Sequence, residues 1–169
     1  MSPASAILPD LLQPGLRLVF CGTAPSRRSA AEGAYYAHPG NFFWRTLHDV
    51  GLTERRYAPA EYIALPMLGI GFTDLAKRHF GNDADLPSGA FDAAALRRKI
   101  ARHAPRVLAF TSKNAAQAAL GHAVAYGLQD ERIGSSELFV LPSPSGQARR
   151  FWNLSVWQAL ADHVRTLQP

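Results

Sequence analysis

At 169 residues, 47% hydrophobic and 18% charged, the chain is long enough to bury its own core and too apolar to stay disordered. Eighteen Lys and Arg against thirteen Asp and Glu leave a formal charge of +5, which favours a polyanionic partner without dictating a fold. The single cysteine, Cys21, excludes a disulfide framework and a thiolate zinc site, and no apolar run is long enough to span a bilayer.

Residues 1–15, punctuated by Pro3, Pro9 and Pro14, read as an N-terminal arm with one helical turn at Ile7 to Leu12. No basic segment precedes an apolar signal region there, so an intracellular, cytoplasmic protein is expected. Leu16–Cys21 is the first β-prone run, with Cys21 a small buried core residue. The chain then turns through Gly22 and Pro25 into a loop rich in Ser, Arg, Tyr, His and Asn. Phe43, Leu47 and Val50 fall at i, i+4 and i+7 and predict a helix. Met67–Phe72 is the second β-like run, and residues 79–90 the most loop-like interior segment. Leu96 and Ile100 share one face of a further helix, with Arg97, Arg98 and Lys99 turned elsewhere. Arg106–Thr111 reads as a third strand, Asn114 to Leu120 as an Ala-rich helix, 126–137 as irregular, and Leu138–Leu141 as a fourth strand. Leu154, Trp157, Ala161 and Val164 make a closing amphipathic helix. Continuous apolar strands alternating with helices predict an α/β fold, with a mostly parallel four-stranded sheet covered on both faces.

In such a sheet the carboxyl ends of the strands converge on one edge, where open α/β sheets build their sites. Three loops meet that condition: GTAPS (22–26), GFTDLAKR (71–78) and LPSPSGQARR (141–150). In the second, Asp74 reads either as the N-cap of a following helix, the reading favoured locally, or as a carboxylate at the sheet edge. In the third, alternating Pro and Ser make a rigid loop with free hydroxyls and amides. Arg149 and Arg150 complement phosphate there, although an ordinary surface turn explains that loop as well when it is taken alone. His38 reads as a loop brace rather than a proton carrier. Asn41 is catalytic, ligand-binding or bracing, and Tyr35 and Tyr36 are core aromatics or a stacking surface. No His, Asp or Glu spacing suits a metal, and GTAPS lacks the Gly-Lys-Ser/Thr of a phosphate loop.

Taken together, DLLQPGLRLVFCG (10–22), AHPGNFFW (37–44) and LPSPSGQAR (141–149) resemble the uracil-DNA glycosylase superfamily, and within it the mismatch-specific uracil/thymine branch. The resemblance implies a single glycosylase domain over 1–169, an α/β/α sandwich, no metal and no cofactor. It implies hydrolysis of the N-glycosidic bond of a uracil, or a related deaminated or damaged base, flipped out of DNA, leaving an abasic site for base excision repair. It places Gly22, Thr23, Ala24, Tyr36, Asn41 and Ser143 around the base, with Tyr36 as the stacking ring. It places Ser26, Ser29, Pro144, Ser145, Gly146, Gln147, Arg149 and Arg150 against the DNA, with Gln147 where the family has an apolar wedge. The partner implied is double-stranded DNA and, without that wedge, single-stranded DNA as well, acted on by a monomer associated with the nucleoid.

This chain departs from the branch's pattern in two places. Ala24 stands where the Gly-Ile-Asn-Pro-Gly motif has its water-holding Asn, and Ser143 replaces the Asn of an Asn-Pro-Ser-Gly loop. Base excision passes through an oxocarbenium-like sugar and needs a positioned water. Asp74 is the residue expected to serve both, as a carboxylate beside GTAPS, and relatives with GTAPS-type motifs place an Asp in that loop. Asn41 is the runner-up, matching a His-Pro-x-Asn segment in a hypoxanthine-excising branch. The alternatives are a hypoxanthine/xanthine-preferring glycosylase and, given Ala24, an inactive DNA-binding relative.

Overall fold

A computed structural model describes residues 6–167. Within them, five strands form one sheet: β1 (Leu18–Gly22), β2 (Ile70–Asp74), β3 (Val107–Phe110), β4 (Gly127–Ile133) and β5 (Ser136–Val140). Their order is β2-β1-β3-β5-β4, with β2, β1, β3 and β5 parallel and β4 antiparallel to β5. Five α-helices accompany it: α1 (Arg27–Glu32), α2 (Phe43–Asp49), α3 (Ala93–His103), α4 (Lys113–Leu120) and α5 (Leu154–Arg165), with 3₁₀ helices at Pro59–Leu68, Asp83–Asp85 and Gly146–Phe151.

The α/β class and the parallel core match the expectation, but the sheet has five strands rather than four. β4 lies inside 126–137, read as irregular. It is an edge strand of sequence GLQDERI whose residues are half-buried and exposed in turn up to a buried Ile133, and charged residues are how edge strands resist further pairing. The second strand also begins later than Met67. The 3₁₀ helix runs to Leu68, Gly69 ends it at φ 83°, and β2 extends through Asp74.

The four parallel strands are buried throughout their length apart from Glu137 of β5, and alternate residues feed opposite faces of the sheet. Leu18 and Phe20 join Phe43, Phe72, Phe139 and Trp157 on one side. Val19 and Cys21 join Leu96, Ile100, Leu108, Phe110 and Ala115 on the other. Burying this much aliphatic and aromatic surface on both faces, at about 25 cal/mol per Å², is what locks the register. That register sets Gly22 beside Asp74, at the carboxyl ends of two neighbouring strands.

The N-terminal segment is not helical at Ile7 to Leu12. Leu11 exchanges backbone hydrogen bonds with Phe72 (2.9 and 3.1 Å), so this stretch covers the free edge of β2, and Pro9 and Pro14 suit an extended path. Pro3, also assigned to the arm, lies outside the described residues. No helix among the described residues is long and apolar enough to cross a membrane.

Candidate active site

The carboxyl ends of β1, β2, β3 and β5 open into a cavity of about 470 Å³, within the range of small-ligand sites. Its wall includes Gly22, Thr23, Ala24, Pro25 and Ser26 from the first loop, Tyr36 and Asn41 from the segment between α1 and α2, and Asp74 from the end of β2 in the second loop. Ser143, Pro144, Ser145 and Gln147 close it from the last loop. All three loops singled out at the sheet edge thus reach one cavity.

Asp74 does not cap a helix. It is the last residue of β2, and no helix follows until Ala93 apart from the short 3₁₀ turn at Asp83–Asp85. The chain after it is held down instead, with Leu75 and Ala76 N–H donating to the carbonyls of Gly22 and Thr23 (3.0 and 2.8 Å). The side chain is buried, 4% exposed, and its Oδ2 has no hydrogen-bond partner among the described residues. Burial pushes the carboxyl up to about 7; Lys77 and Lys99 pull against that, Asp10 reinforces it, and a backbone hydrogen bond from Gly22 lowers it slightly. An unpartnered oxygen in a buried carboxyl is costly, and such costs persist where a group is kept for chemistry. Gly22 is what lets the carboxyl sit here. A Cβ at that position would lie 2.9 Å from Asp74 Oδ1 and 3.4 Å from both Thr111 Oγ1 and the Tyr36 hydroxyl.

Tyr36 and Tyr35 divide the two roles left open for them. Tyr35 is core, 2% exposed, and its hydroxyl donates to the Pro9 carbonyl (2.9 Å). Tyr36 lines the cavity at a backbone φ of 53°, a conformation rare for a bulky residue and one that clusters at functional sites. One face of its ring stacks on Phe43, centroids 4.0 Å apart and 16° from parallel. Its hydroxyl shares a hydrogen bond with Thr111 (3.1 Å). A rigid ring fixed on one side and at its tip is a platform for a flat ligand.

Asn41 also borders the cavity, but its Oδ1 accepts from the Phe43 N–H at 2.8 Å, at the start of α2. His38 is a brace, its Nδ1 accepting from the Gly40 N–H at 2.9 Å. Ser26 caps α1, accepting from the Ser29 N–H (3.0 Å), and Ser29 Oγ accepts from the Ala37 N–H (3.0 Å). Both hydroxyls therefore hold the loop as well as line the cavity. In the last loop Ser143 Oγ accepts from the Ser145 N–H (3.2 Å), and Phe42 N–H donates to the Pro144 carbonyl (2.8 Å), which ties this loop to the segment between α1 and α2. A Cβ on Gly146 would lie 3.1 Å from the Gly40 carbonyl oxygen, so a side chain here would press this loop away from Gly40 by a few tenths of an ångström. Gly146, Arg149 and Arg150 are outside the cavity wall. Arg149 lies over the Phe42 ring (5.4 Å) and Arg150 over Phe151 (4.8 Å), both exposed.

The wall also holds residues that the sequence reading did not single out, among them Asp83, Thr111 and Asn114. Asp83 reaches in from the 79–90 loop, where its Oδ1 accepts from the Thr23 hydroxyl (2.6 Å) and its Oδ2 from Asn114 Nδ2 (3.0 Å). Thr111 and Asn114 follow β3. The rule that flagged the other strand ends applies equally to TSKN after Phe110 and would have found the last two. Nothing local marks Asp83.

Residues 9–162 match the family model described as the uracil DNA glycosylase superfamily. The fold is similar to the solution NMR structure of a candidate uracil DNA glycosylase from Methanosarcina acetivorans. The TM-score is 0.63 at 24% identity, covering 94% of this chain and 96% of that one.

Proposed function

The chain belongs to the uracil DNA glycosylase superfamily, and on that footing we propose that it is a monofunctional DNA glycosylase of the mismatch-specific type. In this reading it flips uracil from DNA into the 470 Å³ cavity and hydrolyses the N-glycosidic bond. The observation that carries the reading is the Asp74 carboxyl, buried, with one oxygen unpartnered among the described residues, in the wall of a cavity formed by the three loops.

The target base enters against the free face of Tyr36. The Gly22 and Thr23 carbonyls accept from Leu75 and Ala76 and the Gly22 backbone bonds the Asp74 carboxyl, so this turn meets the base through the N–H groups beyond Gly22, and Ser143 adds a hydroxyl. As the bond breaks, electron density collects on the departing base, where these donors stabilise it. The sugar becomes cationic, and the Asp74 carboxylate stabilises it electrostatically. The same carboxylate orients a water and takes its proton as the oxygen bonds to the anomeric carbon. A carboxyl held near 7 is matched to that task, because a base titrating close to the working pH accepts protons effectively while being ionised often enough. No lysine among the described residues lines the cavity, which supports water rather than an amine as the nucleophile. Ala24 then needs no replacement in its own loop, since the water is held from β2.

Gln147 and Arg149 at the rim meet the DNA, with Arg150 contributing charge. Flipping costs a few kcal/mol and least where the base is mismatched or unpaired, so a polar Gln147 in place of an apolar wedge suits single-stranded as well as double-stranded substrate. Asn41 is the weaker candidate for the water because its carbonyl oxygen is already engaged at α2. The test compares Asp74→Asn with Asn41→Ala in single-turnover release of uracil from a G·U duplex. Asp74→Asn is expected to lose roughly 10²–10⁴-fold, with Asn41→Ala far closer to wild type. The reverse order of loss overturns the assignment.

A further inference from the structure

Behind Asp74 lies a second group of charges that the reaction as described does not use. Asp10, on the segment that covers the edge of β2, accepts from Lys77 Nζ at Oδ1 (2.8 Å) and from Lys99 Nζ at Oδ2 (2.7 Å). The Thr73 hydroxyl, one residue before Asp74, donates to Asp10 Oδ1 (2.7 Å). Lys77 Nζ also reaches the Tyr35 hydroxyl (3.2 Å), and Ile7 N–H donates to the Lys77 carbonyl (2.7 Å). The Asp10, Lys77 and Lys99 side chains are only 27%, 20% and 19% exposed, so solvent screens this cluster weakly. Burial raises the Asp10 carboxyl, but the two ammonium groups and Thr73 outweigh it and hold Asp10 below its ordinary value, hence ionised.

The titratable and charged groups facing Asp74 come from every element around it. The Cys21 thiol belongs to β1 and the Tyr35 and Tyr36 hydroxyls to the segment between α1 and α2, all three kept neutral by burial. The charged ones are Lys77, just after β2, Lys99 on α3, and Asp10. Two cations alone, near a buried carboxyl, would pull it toward or below the ordinary carboxylate range. Asp10 offsets one of those two charges.

We propose that Asp10 is a positioning residue for the reaction: by pairing with Lys77 and Lys99 it shields Asp74 from both ammonium groups and keeps that carboxyl poised to exchange a proton. The N-terminal segment is on this view part of the catalytic apparatus, joined to it through β2. The proposal rests on Asp74 as the base in its kinetic consequence but not in its electrostatic one, and the two are measured separately.

The experiment follows the Asp74 carboxyl by ¹³C NMR titration in the full chain, and in parallel the pH profile of single-turnover uracil release. In Asp10→Asn the Asp74 midpoint falls by on the order of one pH unit, and the acidic limb of the rate profile falls with it. In Lys77→Met both rise; Lys99→Met gives the same upward sign and stands in where Asp10→Asn is too unstable to titrate. Opposite shifts from the two kinds of variant are not produced by a general loss of packing. A midpoint that stays fixed, or moves the same way in the Asp and Lys variants, overturns the role of Asp10. A midpoint that moves while the rate limb stays fixed overturns Asp74 as the base and with it any effect of Asp10 on rate.

Discussion

Replacing Asp74 by Asn should make the protein more stable at neutral and alkaline pH while disabling it. The carboxyl titrates near 7 in the fold against an ordinary 3.8, so the folded state binds its proton more tightly than the unfolded chain does. A raised carboxyl of this kind costs nothing below the unfolded value. Stability is lost progressively as pH rises from about 4 to about 7, and the full penalty applies above that. The gap of roughly three pH units, at 1.36 kcal/mol per unit, amounts to about 4 kcal/mol. The asparagine of the variant would stay neutral at every pH but buries an amide whose hydrogen bonds are incompletely met, at a cost of about 1–3 kcal/mol. A net gain of about 2 kcal/mol at pH 8 is therefore expected, or about 4–8 °C in Tm for a chain of this size. Urea unfolding of both proteins at pH 8, 6 and 4 reads it directly. The advantage of the variant should shrink as pH falls, cross zero between about pH 6 and 5, and become a deficit of about 2 kcal/mol at pH 4, where Asp74 is protonated in folded and unfolded chains alike and only the cost of the amide remains. A difference that does not change with pH would show that Asp74 is not held near 7, and the reasoning would fail.

The remaining predictions concern rate and substrate. Since the ionised carboxylate does the work, single-turnover uracil release should rise tenfold per pH unit below about 7 and level off above it; a limb near pH 4 instead contradicts a raised carboxyl. Gly22→Ala puts a methyl 2.9 Å from Asp74 Oδ1, which should displace the carboxylate and cost roughly 10²-fold in rate, with about 1–3 kcal/mol of stability from overpacking, read by single-turnover assay and urea melt. Gln147→Leu offers an apolar side chain to the gap left by the flipped base and should favour duplex over single-stranded substrate by about tenfold, measured as the ratio of the two rates.

Much of this arrangement is legible in the residues alone because the core strands are unbroken apolar runs. Leu18–Gly22 and Val107–Phe110 have no polar position to confuse the reading, and Phe43, Leu47, Leu96 and Ile100 fall on the buried faces expected of them. What stayed hidden is what local sequence does not encode. The charged edge strand β4 carries no apolar run. The 3₁₀ helix at Pro59–Leu68 has a helical composition that looks like the start of a strand at its end. α1, six residues long with Ser26 as its cap, reads as loop because Ser and Arg crowd it. Asp74 was correctly placed at the sheet edge, yet its capping alternative could be dismissed only once the chain beyond it was seen held by Gly22 and Thr23 rather than coiled. Asp83 and Asp10 reach the site region across 60 and 63 residues of sequence to their partners Thr23 and Thr73, and no spacing rule spans such distances.

The proposed activity is hydrolysis of a glycosidic bond in DNA, and release of the base reads it directly. Oligonucleotides carrying one uracil, as G·U duplex and as single strand, are incubated with the wild-type protein and then treated with alkali, with a hypoxanthine strand run alongside. The prediction is free uracil matched by alkali-induced cleavage at the uracil position, and no cleavage before alkali. Binding of the uracil strands without any release of base would contradict it and leave a DNA-binding protein, and release confined to hypoxanthine would overturn uracil as the substrate.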